Sequence, residues 1–471
     1  MCGIIGIYGN PEAATLAYLG LYAQQHRGQE GAGIVTLDWA VVHRHMGQGL
    51  VSDVYPDQTA LSGLHGDTAI GHTRYSTTGG IDRKNVGPLL FNVEDQPVSI
   101  AHNGNLVNLA AKRRELQKQG AIFQTTTDTE IIIHLMARAK GAQLVDRVAT
   151  ALEQVEGAFS LLILTPEGLI AARDPYGWRP FAIGKLKDTW VLASETCALD
   201  LIGAQELRDV QPGEVLLIDD QGLQTIHQLP QRTAKHCVFE YVYFSRPDSR
   251  IFGSNVDKLR RKIGKTLADE APAPTADIVI SVPDSSNTAT LGYADRSGIR
   301  HEIGLIRNHY VGRSFIRPEQ KLRDLTVKLK FSTVKGVLEG KEVVIVDDSI
   351  VRGTTMRTLA RLLRQAGVRK VHVRITSPPI RFPCHFGLDF PTDKELVAAH
   401  RTKEEVQAYL GVDSLEYLSL EGLLASMDLP GDQFCSACFS GKYPIAMEES
   451  NSKDRFEMAF QDSEVMPGPA L

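Results

Sequence analysis

What the chain lacks narrows its function first. Its 471 residues contain no run approaching the ~18 consecutive apolar residues of a membrane-spanning helix, so no membrane partner is expected. Basic residues are not in excess: 51 Lys and Arg stand against 56 Asp and Glu, a formal charge of −5. That balance argues against a nucleic-acid partner, which calls for a positive surface. Cysteine is sparse, at six in 471, which excludes a disulfide-stapled scaffold and leaves metal binding or catalysis as its uses. The segment Met1-Cys2-Gly3-Ile4-Ile5 has no positive n-region and no small-residue cleavage site at signal-peptide distance, so a cytoplasmic location is expected. There is no Ser-Gly-Gly-x-Asp-Ser ATP loop and no internal repeat.

What is present divides in two, as a chain longer than a single core usually does. Short apolar runs at 4–8, 33–37, 69–73, 98–102, 160–164, 190–193 and 215–218, mostly bounded by Gly, Pro, Asn or Asp, read as strands. Helical stretches at 13–25 and 129–139 interrupt them, and the pattern predicts a layered α+β domain. The second half changes character. A β-branched run at 277–282 ends at Pro283-Asp284-Ser285, and a buried-type strand at 341–346 leads into Asp347-Asp348-Ser349. A helix over 354–365 follows, with Met356, Leu359, Leu363 and Ala366 on one face and Gly367 as its stop, then a strand at 371–375. Strand, loop, helix, strand predicts a βαβ unit and a parallel sheet. The expected domains are residues 1–232 and 233–446, with a polar, poorly ordered tail at 447–471.

Cys2 becomes the N-terminus if Met1 is removed. A free α-amine titrates near ~7.7–8.0 and can serve as the thiol's own base. Polar strings follow at run ends or helix starts: His26-Arg27-Gly28-Gln29-Glu30, Gly71-His72-Thr73-Arg74-Tyr75-Ser76, His102-Asn103-Gly104-Asn105-Leu106 and Thr127-Asp128-Thr129-Glu130. Singly each is turn chemistry, since Asn-Gly marks hairpins and Asp128 suits a helix N-cap. Together, over residues 2–200, they resemble the glutaminase domain of the N-terminal-nucleophile (Ntn) amidotransferases, an αββα sandwich. The resemblance implies that Cys2 attacks the glutamine amide and forms a thioester. It further implies that Arg74 holds the α-carboxylate, Asp128 the α-ammonium, and Asn103 with the Gly104 N–H the oxyanion. Arg27 and Gly28 would belong to a loop closing over glutamine.

The strongest string is Val343-Val344-Ile345-Val346-Asp347-Asp348-Ser349-Ile350-Val351-Arg352-Gly353-Thr354-Thr355. A buried strand delivers two acids to its carboxyl end, where open α/β sheets bind ligands, and a helix opens immediately after. Acids for hydroxyls or Mg²⁺ beside donors for a phosphate suit a phosphorylated sugar. The string resembles the fingerprint of type I phosphoribosyltransferases. By that likeness Asp347 and Asp348 contact ribose hydroxyls and Mg²⁺, Ser349 to Thr355 (with Arg352, Gly353 and Thr354) cradle the 5′-phosphate, and Ser285 contacts metal or pyrophosphate. The basic stretch after Arg307, carrying Lys321, Arg323, Lys328 and Lys330, resembles the loop that closes over phosphoribosyl pyrophosphate (PRPP).

Both halves in one chain resemble the glutamine PRPP amidotransferase family over about residues 2–445. The likeness implies glutamine and PRPP as substrates and the committing step of purine synthesis. It also implies purine nucleotides as feedback inhibitors and a homotetramer. Four cysteines remain, with Cys435 and Cys438 at CxxC spacing and Cys237 and Cys384 upstream. Thiolate chemistry alone admits tetrahedral zinc or a cubane cluster; the likeness points to a structural [4Fe–4S] cluster. Cys197 reads as a small core residue.

Three positions depart from the family pattern: Ser286-Asn287 where Gly is common, His309 where a basic residue is common, and Pro175-Tyr176-Gly177-Trp178. Two rival readings are a glutaminase feeding another acceptor, such as a sugar phosphate or adenylated aspartate, and a regulatory nucleotide-binding protein without catalysis. The Asp347–Thr355 string argues against the first and the Cys2 constellation against the second.

Overall fold

A computed structural model describes residues 1–141, 143–308, 329–390, 392–447 and 456–457. His309, Lys321, Arg323 and Lys328, expected in the closing loop, lie outside the described residues, as does most of the expected tail.

The apolar runs of the first half build two antiparallel sheets. The seven-stranded sheet runs Gln205–Asp209, Ala182–Leu186, Thr189–Ala193, Gly3–Tyr8, Thr68–Arg74, Gly31–Asp38, Val41–Gln48. The six-stranded sheet runs Gly222–Gln228, Glu214–Asp219, Gly168–Arg173, Glu156–Thr165, Gln96–Val107, Leu89–Val93. Ile4, Ile70 and Leu192 of the first sheet pack against Leu162, Leu169 and Leu216 of the second in one buried cluster. The outer faces are covered by helices: Ala13–Ala23 and Thr196–Ile202 on one side, Glu130–Met136 and Leu144–Leu152 on the other. Burial of both faces explains why strands such as Thr68–Arg74 and Gly168–Arg173 are buried throughout instead of alternating. The result is the αββα sandwich.

The second half centres on four parallel strands, Ile278–Ser281, Glu342–Asp347, Lys370–Ile375 and Ser414–Tyr417. Helix Thr354–Gln365 lays Met356, Leu359 and Leu363 on this sheet, the face expected from its periodicity. The opposite face packs a second cluster that includes Met1, Tyr241, Val344 and Val346, so the first residue of the chain is buried in the core of the second half.

Candidate active site

Cys2 immediately precedes the central strand Gly3–Tyr8, beside the strand that ends at Arg74. Different elements hold each of its polar atoms. Its N–H donates to Asn103 Oδ1 at 3.1 Å, and its carbonyl accepts from Arg27 Nε at 3.0 Å. Its Sγ lies 3.5 Å from the Tyr75 carbonyl oxygen and 3.4 Å from the Tyr75 N–H. The thiol opens into a cavity lined by Arg74, Tyr75, Thr77, His102, Gly104 and Asp128. Burial holds the amine of Met1 down to about 4, so with that residue in place the chain's terminal amine is a weak base.

Asn103 and Gly104 lie within strand Gln96–Val107, paired with Ser160 and Phe159, so the Asn-Gly pair is not a hairpin turn. Only glycine fits at 104, because a Cβ there would stand 2.0 Å from the Ala158 carbonyl oxygen. Asp128 precedes the helix cap: its Oδ2 accepts from the Leu106 N–H at 2.7 Å, and its Oδ1 sits 3.8 Å from His102 Nδ1. Arg74 turns its fork onto the loop that borders the cavity, donating to Asn85 O at 2.5 Å and Gly80 O at 2.9 Å. That loop is held from its other side by the tail. The Glu457 carboxylate accepts from the Gly80 N–H at 2.6 Å and from Thr126 Oγ1 at 2.7 Å.

Arg27 and Gly28 are the residues expected in a loop over glutamine. Neither lines the cavity. Arg27 is fully buried and forks onto Glu240 at 2.9 and 3.1 Å, with Glu195 as its second partner. Burial alone would lower its pKa, but the two carboxylates hold it above the usual arginine value. Gly28 abuts the neighbouring strand, where a Cβ would come within 2.6 Å of the Thr73 carbonyl oxygen.

The second site forms at the carboxyl ends of strands Ile278–Ser281 and Glu342–Asp347. Asp347 and Asp348 are buried together. Asp347 Oδ1 accepts from Ser286 Oγ at 3.1 Å and from the Asp348 N–H at 2.9 Å, while Asp348 Oδ1 accepts from Ser349 Oγ at 2.6 Å. Ser285 acts on the Asp348 carboxyl, drawing it down against the effect of burial. Burial pushes both carboxyls above the usual aspartate range, and the Asp348 charge adds to the shift at Asp347. The all-oxygen donor set of the two acids suits Mg²⁺. Gly353, in the left-handed region at φ 75°, opens helix Thr354–Gln365, so the first-turn N–H groups of Thr354 and Thr355 start beside the acids. Arg352 pairs with Glu395 at 2.6 Å.

Between the sites runs one π-helical turn, Glu240–Phe244. Glu240 carries Arg27, and the Tyr241 carbonyl accepts from Arg260 Nε at 2.7 Å, whose charge acts on Asp348. The Phe244 ring stands edge-on to Tyr75 at 5.9 Å between centroids. One short segment therefore touches neighbours of both sites.

Cys237, Cys384, Cys435 and Cys438 line one enclosed cavity with Trp178, Arg179 and Tyr443. Strand pairing of Cys237 with Cys435 draws distant parts of the chain together. Burial pushes the Cys435 thiol up to about 12 and those of Cys237 and Cys438 up as well. Among the described residues no group of three or more His, Cys, Asp and Glu is placed to hold a metal ion. Four cysteines lining one space are a donor set used by thiolate-held metals, zinc and iron–sulfur clusters alike. Cys197 is a buried core residue, as expected.

Sequence reasoning assigned no role to Ser286, Glu195, Glu240 and Arg179. Ser286 had entered only as a departure from pattern, and the buried charges carried no signal beyond standing in apolar segments.

Fold and site together define an Ntn glutamine amidotransferase joined to a phosphoribosyltransferase. A glutamine amidotransferase domain model matches residues 72–201 and a phosphoribosyl transferase domain model residues 297–376. The amidophosphoribosyltransferase of Bacillus subtilis is 48% identical over 448 residues, covering 94% of each chain. Amidophosphoribosyltransferase 1, chloroplastic, of Arabidopsis thaliana is 48% identical over 454 residues, 96% of this chain and 80% of that one. A solved glutamine PRPP amidotransferase from B. subtilis, complexed with ADP and GMP, superimposes with a TM-score of 0.90 at 46% identity, over 96% of this chain and 100% of that one. The chain belongs to the amidophosphoribosyltransferase family.

Proposed function

We propose that this chain hydrolyses glutamine at Cys2 and passes the ammonia to PRPP, yielding glutamate, 5-phosphoribosylamine and pyrophosphate, the committing step of purine synthesis. The observation that carries the reading is the seating of Cys2. Its thiol faces a cavity shared by Arg74, Gly104 and Asp128, while its N–H and carbonyl are clamped by Asn103 and Arg27. Once Met1 is removed, the freed α-amine takes the thiol proton as sulfur attacks the glutamine carboxamide carbon. Asn103 and the Gly104 N–H stabilise the oxyanion, Arg74 and Asp128 grip the amino-acid end, ammonia leaves, and water releases glutamate from the thioester.

At the second site Asp347 and Asp348 orient the ribose hydroxyls, and Ser349, Arg352, Gly353, Thr354 and Thr355 receive the 5′-phosphate. Ammonia attacks the anomeric carbon on one face as pyrophosphate departs from the other. Mg²⁺ held by Asp347, Asp348 and Ser285 would neutralise the departing pyrophosphate. The turn Glu240–Phe244, touching both neighbourhoods, supports internal transfer. Cys237, Cys384, Cys435 and Cys438 would hold a [4Fe–4S] cluster that ties the C-terminal segment to both halves. The domain limits 1–232 and 233–446, a cytoplasmic location, a homotetramer and purine-nucleotide inhibition complete the reading. The last is supported by the ADP and GMP in the B. subtilis complex. No helix among the described residues is long and apolar enough to cross a membrane.

Cys2→Ala is expected to abolish glutamine-dependent phosphoribosylamine formation while ammonia-dependent formation continues. Loss of both activities in a folded variant would refute the division of labour.

A further inference from the structure

We propose that Arg179 is a positioning residue that couples the four-cysteine cavity to the nucleophile, so that filling or emptying this cavity changes how Cys2 is seated. The inference rests on the cluster reading given above.

The connection is a chain of buried charges. Arg179 lines the cavity beside all four cysteines and is the only Lys or Arg among its lining residues. Its Nη1 reaches Glu240 Oε1 at 3.4 Å. Glu240 in turn binds both terminal nitrogens of Arg27, at 2.9 and 3.1 Å. Arg27 Nε donates to the Cys2 carbonyl at 3.0 Å. The Arg179, Glu240 and Arg27 side chains are all 0% exposed, so water cannot screen one member from the next.

Arg179 is also under-bonded. Its Nε has no hydrogen-bond partner although it is buried. Its Nη1 has a second contact with Met1 Sδ, which disappears when Met1 is removed, and its Nη2 donates to the Phe386 carbonyl. A buried guanidinium with a spare donor, on the wall of a thiol-lined space, calls for an anion in that space. Four cysteines ligating iron are thiolates, and a cluster so bound is anionic, a second counter-charge for Arg179 beside Glu240.

The consequence follows from competition for Glu240. With the cluster in place, Arg179 divides its attraction and Glu240 stays committed to Arg27, which holds Cys2. With the cavity emptied, Arg179 turns wholly to Glu240, and the fork between Glu240 and Arg27 loosens beneath the nucleophile. Glu195, the other carboxylate on Arg27, is held also by Ser249 Oγ at 2.7 Å and the Arg246 N–H at 3.0 Å, so it cannot follow.

The test measures Cys2 directly. Full-length wild type and Arg179→Gln, purified anaerobically, are assayed for iron and visible absorption, then labelled with a diazoketone analogue of glutamine. The labelling rate at the Cys2 peptide is read by mass spectrometry in the loaded protein and after chelator stripping, with far-UV circular dichroism confirming the fold. Stripping is expected to slow wild-type labelling at least five-fold. Arg179→Gln, with no cation to compete for Glu240, should label near the wild-type rate when loaded and change less than two-fold on stripping. Labelling of loaded Arg179→Gln as slow as that of stripped wild type, or the same loss on stripping in both proteins, would overturn the coupling. Wild-type protein without iron or visible absorption would overturn the cluster reading, and the coupling with it, by a separate observation. If Arg179→Gln does not fold, Arg179→Lys serves: a smaller response to stripping than wild type is expected, and an equal one refutes the proposal.

Discussion

Ser286 Oγ donates to Asp347 Oδ1 at 3.1 Å, joining the loop after one parallel strand to the acid at the tip of its neighbour. Ser285 acts instead on Asp348, drawing its carboxyl down against the effect of burial. Removing the Ser286 hydroxyl frees the Asp347 carboxylate to rotate. A hydrogen bond to a charged group contributes ~1.5–3 kcal/mol. Ser286→Ala should therefore lower kcat/KM for PRPP by roughly ten-fold or more. Glutamine- and ammonia-dependent turnover should fall together in steady-state assays, and a loss confined to glutamine would contradict this placement.

Glu457 grips the Gly80 N–H and Thr126 Oγ1 at 2.6 and 2.7 Å, on the loop that carries the carbonyls to which Arg74 donates. Glu457→Ala should raise the KM for glutamine by roughly five-fold, the effect of about 1 kcal/mol. Ammonia-dependent turnover should not change, and truncation after residue 447 should reproduce the result.

At Gly104 a side chain would meet the Ala158 carbonyl at 2.0 Å. Overpacking of this kind costs ~1–3 kcal/mol, because backbone must move. Gly104→Ala should lower Tm measurably and eliminate glutamine hydrolysis, as the strand carrying the oxyanion donor shifts. Unchanged glutamine turnover would remove Gly104 from that role.

Burial, assisted by the nearby Arg74 charge, pushes His72 down from 6.5 to about 3. The unfolded chain gains this proton as pH falls through 6.5, whereas the folded one resists until about 3. The stabilising contribution is therefore complete above pH 6.5 and is lost progressively below it. The slope approaches ~1.4 kcal/mol per pH unit for one proton. Urea unfolding at several pH values should show His72→Gln with a shallower loss than wild type on acidification.

Much of the fold was legible because periodicity and turn residues are local. Helix Thr354–Gln365 follows from the spacing of Met356, Leu359 and Leu363, and the strands of the sandwich follow from short apolar runs between turn residues. Local signals also misled. Asn103-Gly104 has hairpin chemistry yet sits mid-strand, since pairing with Ser160 and Phe159 outweighs a turn preference.

The order of residues by itself determined the two active centres, because a nucleophile next to the start and two acids at a strand's end are adjacent-residue facts. Only the tertiary structure decided that Arg27 forks onto Glu240, that Ser286 reaches Asp347, and that Met1 and four scattered cysteines meet where the halves join. Those pairings span up to hundreds of positions. They arise because a buried charge or thiol takes whichever partner packing brings within reach, and packing is a property of the whole chain.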